Sequence, residues 1–258
     1  MREYAEGALQ RGGRPHVPDT PERTRLEKER RIREVIFGIQ DGVLTALGIV
    51  TGVGAAAADR ATIVLTGIVA LVVGMLSMGV GEYLGGKTER EVVRAAIALE
   101  TREMAANPEE EFLEQTAYYQ LKGFTREEAT MIVTRLATNP EIWLHEMMRD
   151  EFGIDPRVAE GGGVRPALVM GGSFAAGAFV PIVPYLIGLP VESGLVVAIV
   201  LAAAALFTIG VFAARISNRH FFSKGCELVG YGALVFIVSY LAGHYIPALF
   251  GHPPVSAG

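Results

Sequence analysis

A long apolar run near the N-terminus carries a single acidic residue in its interior. Between Val35 and Ala58 the only charged side chain is Asp41, and a helix of this length crosses the ~30 Å hydrocarbon core of a bilayer. A carboxylate at that depth costs roughly 2.5–3.5 kcal/mol, so it needs a partner, an ion or water. Asp41 is therefore a candidate transport residue. The alternative is an acid near the helix end that reaches the interface, since Arg33 lies about two turns away.

Four further apolar segments follow, so the sequence predicts an all-α membrane protein with five transmembrane helices. A small cytoplasmic helical domain is expected as an insertion after the second span. In the third span, Pro181 and Pro184 are expected to break or kink the helix. The predicted parts are a disordered cytoplasmic tail (1–31), two spans (32–86), the helical metal-binding domain (87–163), three spans (164–248) and a C-terminal tail (249–258).

Composition narrows the possible partners and the location. The net charge of −5 argues against a nucleic-acid partner, and the single cysteine, Cys226, excludes an internal disulfide and a CxxC metal site. With five spans, all Lys and Arg residues except Arg60 fall on one side, which the positive-inside rule assigns to the cytoplasm. The C-terminus is then outside. The Ala-, Gly- and Arg-rich composition favours a bacterial inner membrane, and no signal peptide is expected.

Helix signals divide the polar segment after the second span. Residues 87–106 continue the second span as a polar helix. Asn107-Pro108 and Asn139-Pro140 each pair an N-cap residue with proline at the first helical position, and Thr125 to Glu128 form a capping box. The sequence therefore predicts a domain of several short helices.

Glutamate and methionine side chains recur in this polar segment at the spacing of helix neighbours. Like charges three residues apart mildly destabilise a bare helix, and a bound divalent cation would remove that penalty. The alternative for each pair is an ordinary solvated helix surface. The candidate metal ligands are Glu100, Glu103, Glu111, Glu114, Met147, Met148 and Glu151.

The second span adds soft and acidic donors inside the membrane. Met75, Met78 and Glu82 share one helical face. A mixture of carboxylates and thioethers points to Fe(II) or Mn(II), with Co, Ni or Zn as competitors, because thioethers do not suit Mg or Ca. The glycines at 161–163 are not followed by the Lys-Ser/Thr of a phosphate-binding loop, so transport would depend on an ion gradient.

Small residues at regular spacing on the first two spans predict close helix packing. We expect these faces to form a homodimer contact, although a neighbour within the protomer would satisfy them equally. The residues are Gly38, Gly42, Gly48, Gly52, Gly67, Gly74 and Gly81.

The chain resembles the vacuolar iron transporter family, which includes yeast and plant vacuolar iron and manganese carriers and bacterial relatives. The resemblance covers roughly residues 32–248 and rests on FGIQDGVLTALGIVTGVG in the first span, SMGVGEYLGGKTERE at the end of the second and GAFVPIVPYL in the third. The glutamate-rich insertion resembles the version of the family with a cytoplasmic metal-binding domain.

This resemblance implies a homodimer of five-span protomers that exports Fe(II), and often Mn(II), from the cytoplasm in exchange for protons. By motif, Asp41 and Met78 match the family's intramembrane ligands, and the glutamates and methionines of the polar segment match its cytoplasmic ligands. Related sequences often carry an acidic residue two turns before the methionine. Here that position is Ala70, and Glu82 follows Met78 by a turn instead.

Two other functions are compatible with the residues alone. One is a membrane-anchored di-iron oxidase, although the Glu-x-x-His pairs of ferritin-like sites are missing from the sequence. The other is a metal sensor that transports nothing. We expect a transporter and no enzyme, with metal ions and protons as partners and no prosthetic group.

Overall fold

Helices make up all the regular secondary structure in the part of the chain that the structure describes. In this computed structural model that part is residues 21–56, 59–160, 163–217 and 220–250. A 3-10 helix, Pro156–Glu160, lies between the fifth and sixth α-helices. The α-helices are α1 Pro21–Ala55, α2 Arg60–Ala106, α3 Pro108–Leu121, α4 Arg126–Ala137, α5 Pro140–Glu151, α6 Val164–Leu186, α7 Val191–Ser217 and α8 Phe221–Leu249.

Five of these helices, α1, α2, α6, α7 and α8, are long and apolar enough to cross a bilayer. The predicted fold class is therefore confirmed. With 47 residues, α2 is about 70 Å long at the α-helical rise, more than twice the length needed to span the hydrocarbon core. Its second half is the polar helix predicted for residues 87–106, and it continues the second span without a break.

The first helix begins earlier than the sequence analysis predicts. The sequence predicts a disordered tail over residues 1–31, but α1 starts at Pro21, so residues 21–31 are helical. Residues 1–20 lie outside the described residues. Proline suits a helix start because its fixed φ and missing N–H cost nothing there. The Glu, Lys and Arg residues that follow are good helix formers, and the apolar span extends a helix that is already nucleated.

Within the described residues, the structure divides into two compact units, and the first contains most of the apolar helices. It takes in α1, α2 as far as Leu76, and the chain from Met170 onwards. Val43 and Leu47 of α1 pack against Leu206 of α7 and Leu228 of α8 in a buried core. These contacts hold α1 between α7 and α8.

Glycines let α1 and α6 approach until their backbones touch. A Cβ added to Gly42 would collide with the carbonyl oxygen of Phe174, and one added to Gly177 would collide with the carbonyl oxygen of Ile39. Each helix therefore supplies a glycine for the other. The close packing predicted for Gly38 and Gly42 is confirmed, and the partner is a helix of the same protomer.

The second glycine pair of α1 is also used inside the protomer. Gly48 and Gly52 face Ser239 of α8, and a Cβ on Gly243 would meet the carbonyl oxygen of Gly52. The expected homodimer contact through these α1 glycines is therefore wrong, because α6 and α8 already occupy both faces. On α2, Gly67 and Gly74 pack against side chains of α6, whereas a Cβ on Gly81 would meet nothing within 4 Å among the described residues.

The two prolines of the third span do not end the helix. Pro181 and Pro184 both lie inside α6, which continues to Leu186. Of the two expected outcomes, a break is therefore wrong, and a kink stays a prediction. Helices of membrane proteins tolerate proline because neighbouring helices and local adjustments satisfy the freed backbone groups.

The second compact unit, Ser77–Val169, contains the polar part of α2 and the short helices α3, α4 and α5. The Thr125 side chain accepts a hydrogen bond from the Glu128 backbone N–H at 3.3 Å, and the Glu128 carboxylate accepts one from the Thr125 backbone N–H at 2.9 Å. This confirms the capping box at the start of α4. The Asn139 side chain caps α5, but the Asn107 side chain makes no capping bond to α3.

Candidate functional site

Acidic side chains from three helices gather in the second unit. They are the predicted ligand residues of the polar segment, brought together because α2, α3 and α5 pack as one domain. The charges of Glu103 and Glu114 act on both Glu111 and Glu151, which places the carboxylates within electrostatic reach of one another. The acidic cluster consists of Glu100 and Glu103 on α2, Glu111 and Glu114 on α3, and Glu151 on α5.

Glu100 is the most unusual member of the acidic cluster. Its relative exposure is 0 %, and neither carboxylate oxygen accepts a hydrogen bond from an N–H or O–H donor among the described residues, while the Glu111 carboxyl lies within hydrogen-bonding reach of it. The charges that act on the Glu100 carboxylate are those of the other cluster members, and Glu151 and Glu111 have the largest effects. A buried carboxylate that no N–H or O–H donor stabilises is costly and needs either a proton or a cation.

Burial and crowding oppose ionisation at two other cluster members. Burial raises the pKa of Glu111, and the charges of Glu114, Glu103 and Glu110 raise it further. Glu151 is an exposed residue, but partial desolvation of its carboxylate raises its pKa, and the charges of Glu114, Glu111 and Glu103 raise it further. A divalent cation placed among these groups would favour the ionised forms and reverse both shifts.

Two methionines of α5 lie in the core of the same unit. Met147 is 2 % exposed and Met148 is 0 % exposed. Glu151 follows them by four and three residues, so all three occupy one side of α5. The thioether groups are thus sequestered from water on the helix that supplies one of the clustered carboxylates.

The acidic cluster is not closed around an ion in this conformation. Across the described residues, no group of three or more His, Cys, Asp or Glu side chains is arranged closely enough to hold a metal ion. Mutual repulsion between carboxylates explains an open arrangement, because like charges favour rotamers that point apart. Binding would require the side chains to converge. The ligand assignment from the sequence remains a prediction.

A hydrogen-bonded pair of side chains beside the acidic cluster was not predicted from the sequence. Gln115 of α3 is 1 % exposed, and its Nε2 donates a hydrogen bond of 2.6 Å to Oδ2 of Asp150 on α5. The only available signal was that Gln115 follows Glu114 and Asp150 precedes Glu151. Spacing alone does not pair residues that lie 35 positions apart.

Tyr118 is a second residue near the acidic cluster that was not predicted from the sequence. It follows Glu114 by one turn on α3. Burial raises the pKa of the Tyr118 hydroxyl, and the charges of Glu151 and Glu114 raise it further. The phenol therefore remains a neutral hydrogen-bond donor beside the carboxylates.

The intramembrane candidates fall into the two separate units. Asp41 is partly buried on α1 in the first unit, two residues before the core residue Val43. Met78 and Glu82 are partly buried on α2 in the second unit, and their spacing of four residues places them on one helix face. Ala70, also partly buried, lies on the part of α2 that belongs to the first unit.

Comparisons with known proteins give one consistent family. The chain is 30 % identical over 182 residues to vacuolar iron transporter 1 of Arabidopsis thaliana, which covers 69 % of this chain and 71 % of that protein. It is 27 % identical to vacuolar iron transporter 1 of Oryza sativa subsp. japonica, over 81 % of this chain and 82 % of the relative. Protein CCC1 of Saccharomyces cerevisiae is 27 % identical over 73 % of this chain and 58 % of its own length.

The match extends through the segments that carry the sequence resemblance. The family model described as VIT family matches residues 32–244, from the first apolar span to the last and including the acidic domain. The predicted resemblance is thus confirmed, and the chain belongs to the VIT family.

Proposed function

We propose that this protein carries Fe(II) across a membrane, with Mn(II) as a second cargo. The observation that carries the proposal is Glu100, a fully buried carboxylate that accepts no hydrogen bond from an N–H or O–H donor among the described residues and stands among four other glutamates. A divalent cation would supply the missing countercharge. The names of the plant relatives, which are vacuolar iron transporters, support iron as the cargo.

Membership of the VIT family makes the chain a transporter and not an enzyme. A di-iron oxidase is therefore set aside. A non-transporting metal sensor differs from a carrier in one measurable respect, which is that it moves no ion across a sealed membrane.

The chemistry of the donors supports a transition metal over Mg²⁺ or Ca²⁺. Carboxylate oxygens of Glu100, Glu111 and Glu151 suit Fe(II) and Mn(II) as well as Mg²⁺ and Ca²⁺. The sulfur atoms of Met147 and Met148, buried on α5, suit softer ions only. We expect Fe(II) or Mn(II) at this mixture of ligands, with Co, Ni or Zn as competitors and with Glu103 and Glu114 as further oxygen donors.

Inside the membrane, we assign the transport pathway to Asp41, Met78 and Glu82. The Asp41 carboxylate binds either a proton or a metal ion, so the two compete for one group. When the site opens to a side of high proton concentration, protonation releases the metal. This competition is the minimum that an exchanger of metal for protons requires, and an imposed proton gradient would supply the driving force.

We further propose export from the cytoplasm by a homodimer in a bacterial inner membrane. The distribution of Lys and Arg residues supports a cytoplasmic N-terminus and acidic domain, with the C-terminus outside. We place the second copy against the apolar surface of α2, where Leu65, Val69 and Leu76 are each more than half exposed in a single chain and would otherwise face lipid. Cross-linking through cysteines placed along this surface would test the dimer.

The decisive experiment is metal flux in proteoliposomes that contain a metal-sensitive dye and a pH dye. We expect Fe(II) and Mn(II) to enter as protons leave, Mg²⁺ to remain outside, and the rate to follow the imposed pH gradient. Liposomes without protein give the background. Metal binding without any flux would favour the sensor and overturn the proposal, and flux that ignores the pH gradient would overturn the exchange with protons.

A further inference from the structure

Asp150 of α5 is the point at which that helix is tied to α3. Its Oδ2 accepts the 2.6 Å hydrogen bond from Nε2 of Gln115, and its Oδ1 accepts a 2.5 Å charged hydrogen bond from Nζ of Lys122, just past the end of α3. The Lys122 ammonium also lies 4.3 Å from the centroid of the Tyr119 ring. Both oxygens of one carboxylate are therefore engaged by residues of one neighbouring helix and its end.

The contact of Asp150 with Gln115 lies next to the acidic cluster along both helices. Asp150 directly precedes Glu151, and Gln115 directly follows Glu114 and lies one turn after Glu111. The hydrogen bond therefore joins α3 and α5 at the level of the clustered carboxylates. Those carboxylates repel one another, so the two helices need an attraction there to remain in register.

We propose that Gln115 and Asp150 are positioning residues that set the distance between the α3 and α5 carboxylates and thereby determine the metal affinity of the acidic cluster. This inference rests on the proposed function, because it assumes that the acidic cluster binds the transported metal. Hydrogen bonds behind metal ligands fix ligand orientation, and their loss typically lowers metal affinity about 10–100-fold. The nearly complete burial of Gln115 strengthens the bond to a charged acceptor.

The test is a calorimetric titration of the purified full-length protein with Mn²⁺ as the probe. We expect Gln115→Leu and Asp150→Ala each to raise the dissociation constant at least about tenfold. The double variant should bind about as weakly as Asp150→Ala alone, since both changes remove the same bond. The matched control is Glu146→Gln, which removes an ion pair of 3.7 Å with Arg149 on the same helix and should leave the affinity unchanged.

A second measurement separates positioning from a purely structural role. Thermal unfolding without metal reports the stability of each variant. If the bond is purely structural, its loss lowers the unfolding midpoint, while the Mn²⁺ affinity of the folded variant stays at the wild-type value. That result would overturn the inference. If either variant fails to fold, the milder Gln115→Asn and Asp150→Asn take its place, with weaker Mn²⁺ binding expected and wild-type binding as the contrary outcome.

Different results would refute the metal site and the positioning role of Gln115 and Asp150. Wild-type protein that binds no Mn²⁺, or a Glu111→Gln variant that binds it as tightly as the wild type, would refute the metal site itself and the inference with it. Wild-type binding that Glu111→Gln weakens, while Gln115→Leu and Asp150→Ala do not, would refute the positioning role alone.

Discussion

Glu111 and Glu151 give the acidic domain a pH dependence with a definite sign. Each folded-state pKa is raised above the ordinary value of 4.5, so the protonated form is favoured by folding. The stabilisation is complete below that ordinary value and is lost as the pH rises through the raised pKa. We expect the metal-free protein to unfold at a lower temperature at about pH 7 than at about pH 5, and Mn²⁺ to reverse the order. Thermal unfolding of the full-length protein at both pH values is the measurement.

A neutral replacement checks this explanation directly. Glu111→Gln imitates the protonated side chain, so it should raise the metal-free midpoint at about pH 7 and weaken Mn²⁺ binding at least about tenfold, or about 1.4 kcal/mol. Glu127→Gln, an exposed change in the first turn of α4, is the control and should not weaken binding. A Glu111→Gln protein with a lower midpoint and unchanged affinity would contradict both parts.

Asp41 is the residue on which the proposed exchange depends. Asp41→Asn keeps the shape of the side chain but removes its charge and its proton, so it should abolish metal flux while the acidic domain still binds Mn²⁺. Met78→Leu should slow flux less, because it removes one soft ligand and no charge. Flux in proteoliposomes at several pH gradients measures both variants. Wild-type flux and pH dependence in Asp41→Asn would make Asp41 an interfacial residue without a role in transport.

At the scale of elements, the contact between α1 and α6 has no room for a methyl group. Gly177→Ala would drive its Cβ into the Ile39 carbonyl oxygen, so we expect a loss of about 1–3 kcal/mol, which is typical of overpacking. Gly172→Ala on the same helix is the matched control, since a Cβ there meets nothing within 4 Å among the described residues. Thermal unfolding in detergent compares the two, and equal midpoints would contradict the close contact.

The positions of the helices could be predicted from the sequence better than the contacts between them. Apolar length and caps such as Thr125 are local signals, and they located the spans and the start of α4. The start of α1 was misplaced because charged residues form helices as readily as they form tails. Glycine spacing indicated a close contact at Gly42 but not with which helix. Pairing Gln115 with Asp150 needed the packing of α3 on α5, which no local pattern encodes.

At the scale of the whole molecule, labelling of one natural cysteine tests the proposed orientation in the membrane. Cys226 is the single cysteine of the chain, and it is exposed near the start of α8, on the side assigned to the cytoplasm. We expect a membrane-impermeant maleimide added from outside to label Cys226 only after the membrane is permeabilised, which gives the reagent access to the cytoplasmic face. A Cys226→Ser, Glu192→Cys double variant should give the reverse, since Glu192 lies in the first turn of α7 on the opposite side. Equal labelling from both sides would contradict a single orientation.

The uninterrupted length of α2 separates the acidic cluster from the methionine of the proposed pathway by a fixed distance. Met78 and Glu100 lie on one continuous helix, about 33 Å apart along its axis at the α-helical rise. No ion spans that distance, so in the proposed mechanism an ion bound at the acidic cluster has to dissociate before it reaches Met78. One ion within a sphere of that radius has a local concentration of about 10 mM, far above that of a scarce metal in bulk solution. In the proposed mechanism the acidic cluster serves as a local reservoir, and its release rate sets an upper limit on turnover for the ions that pass through it.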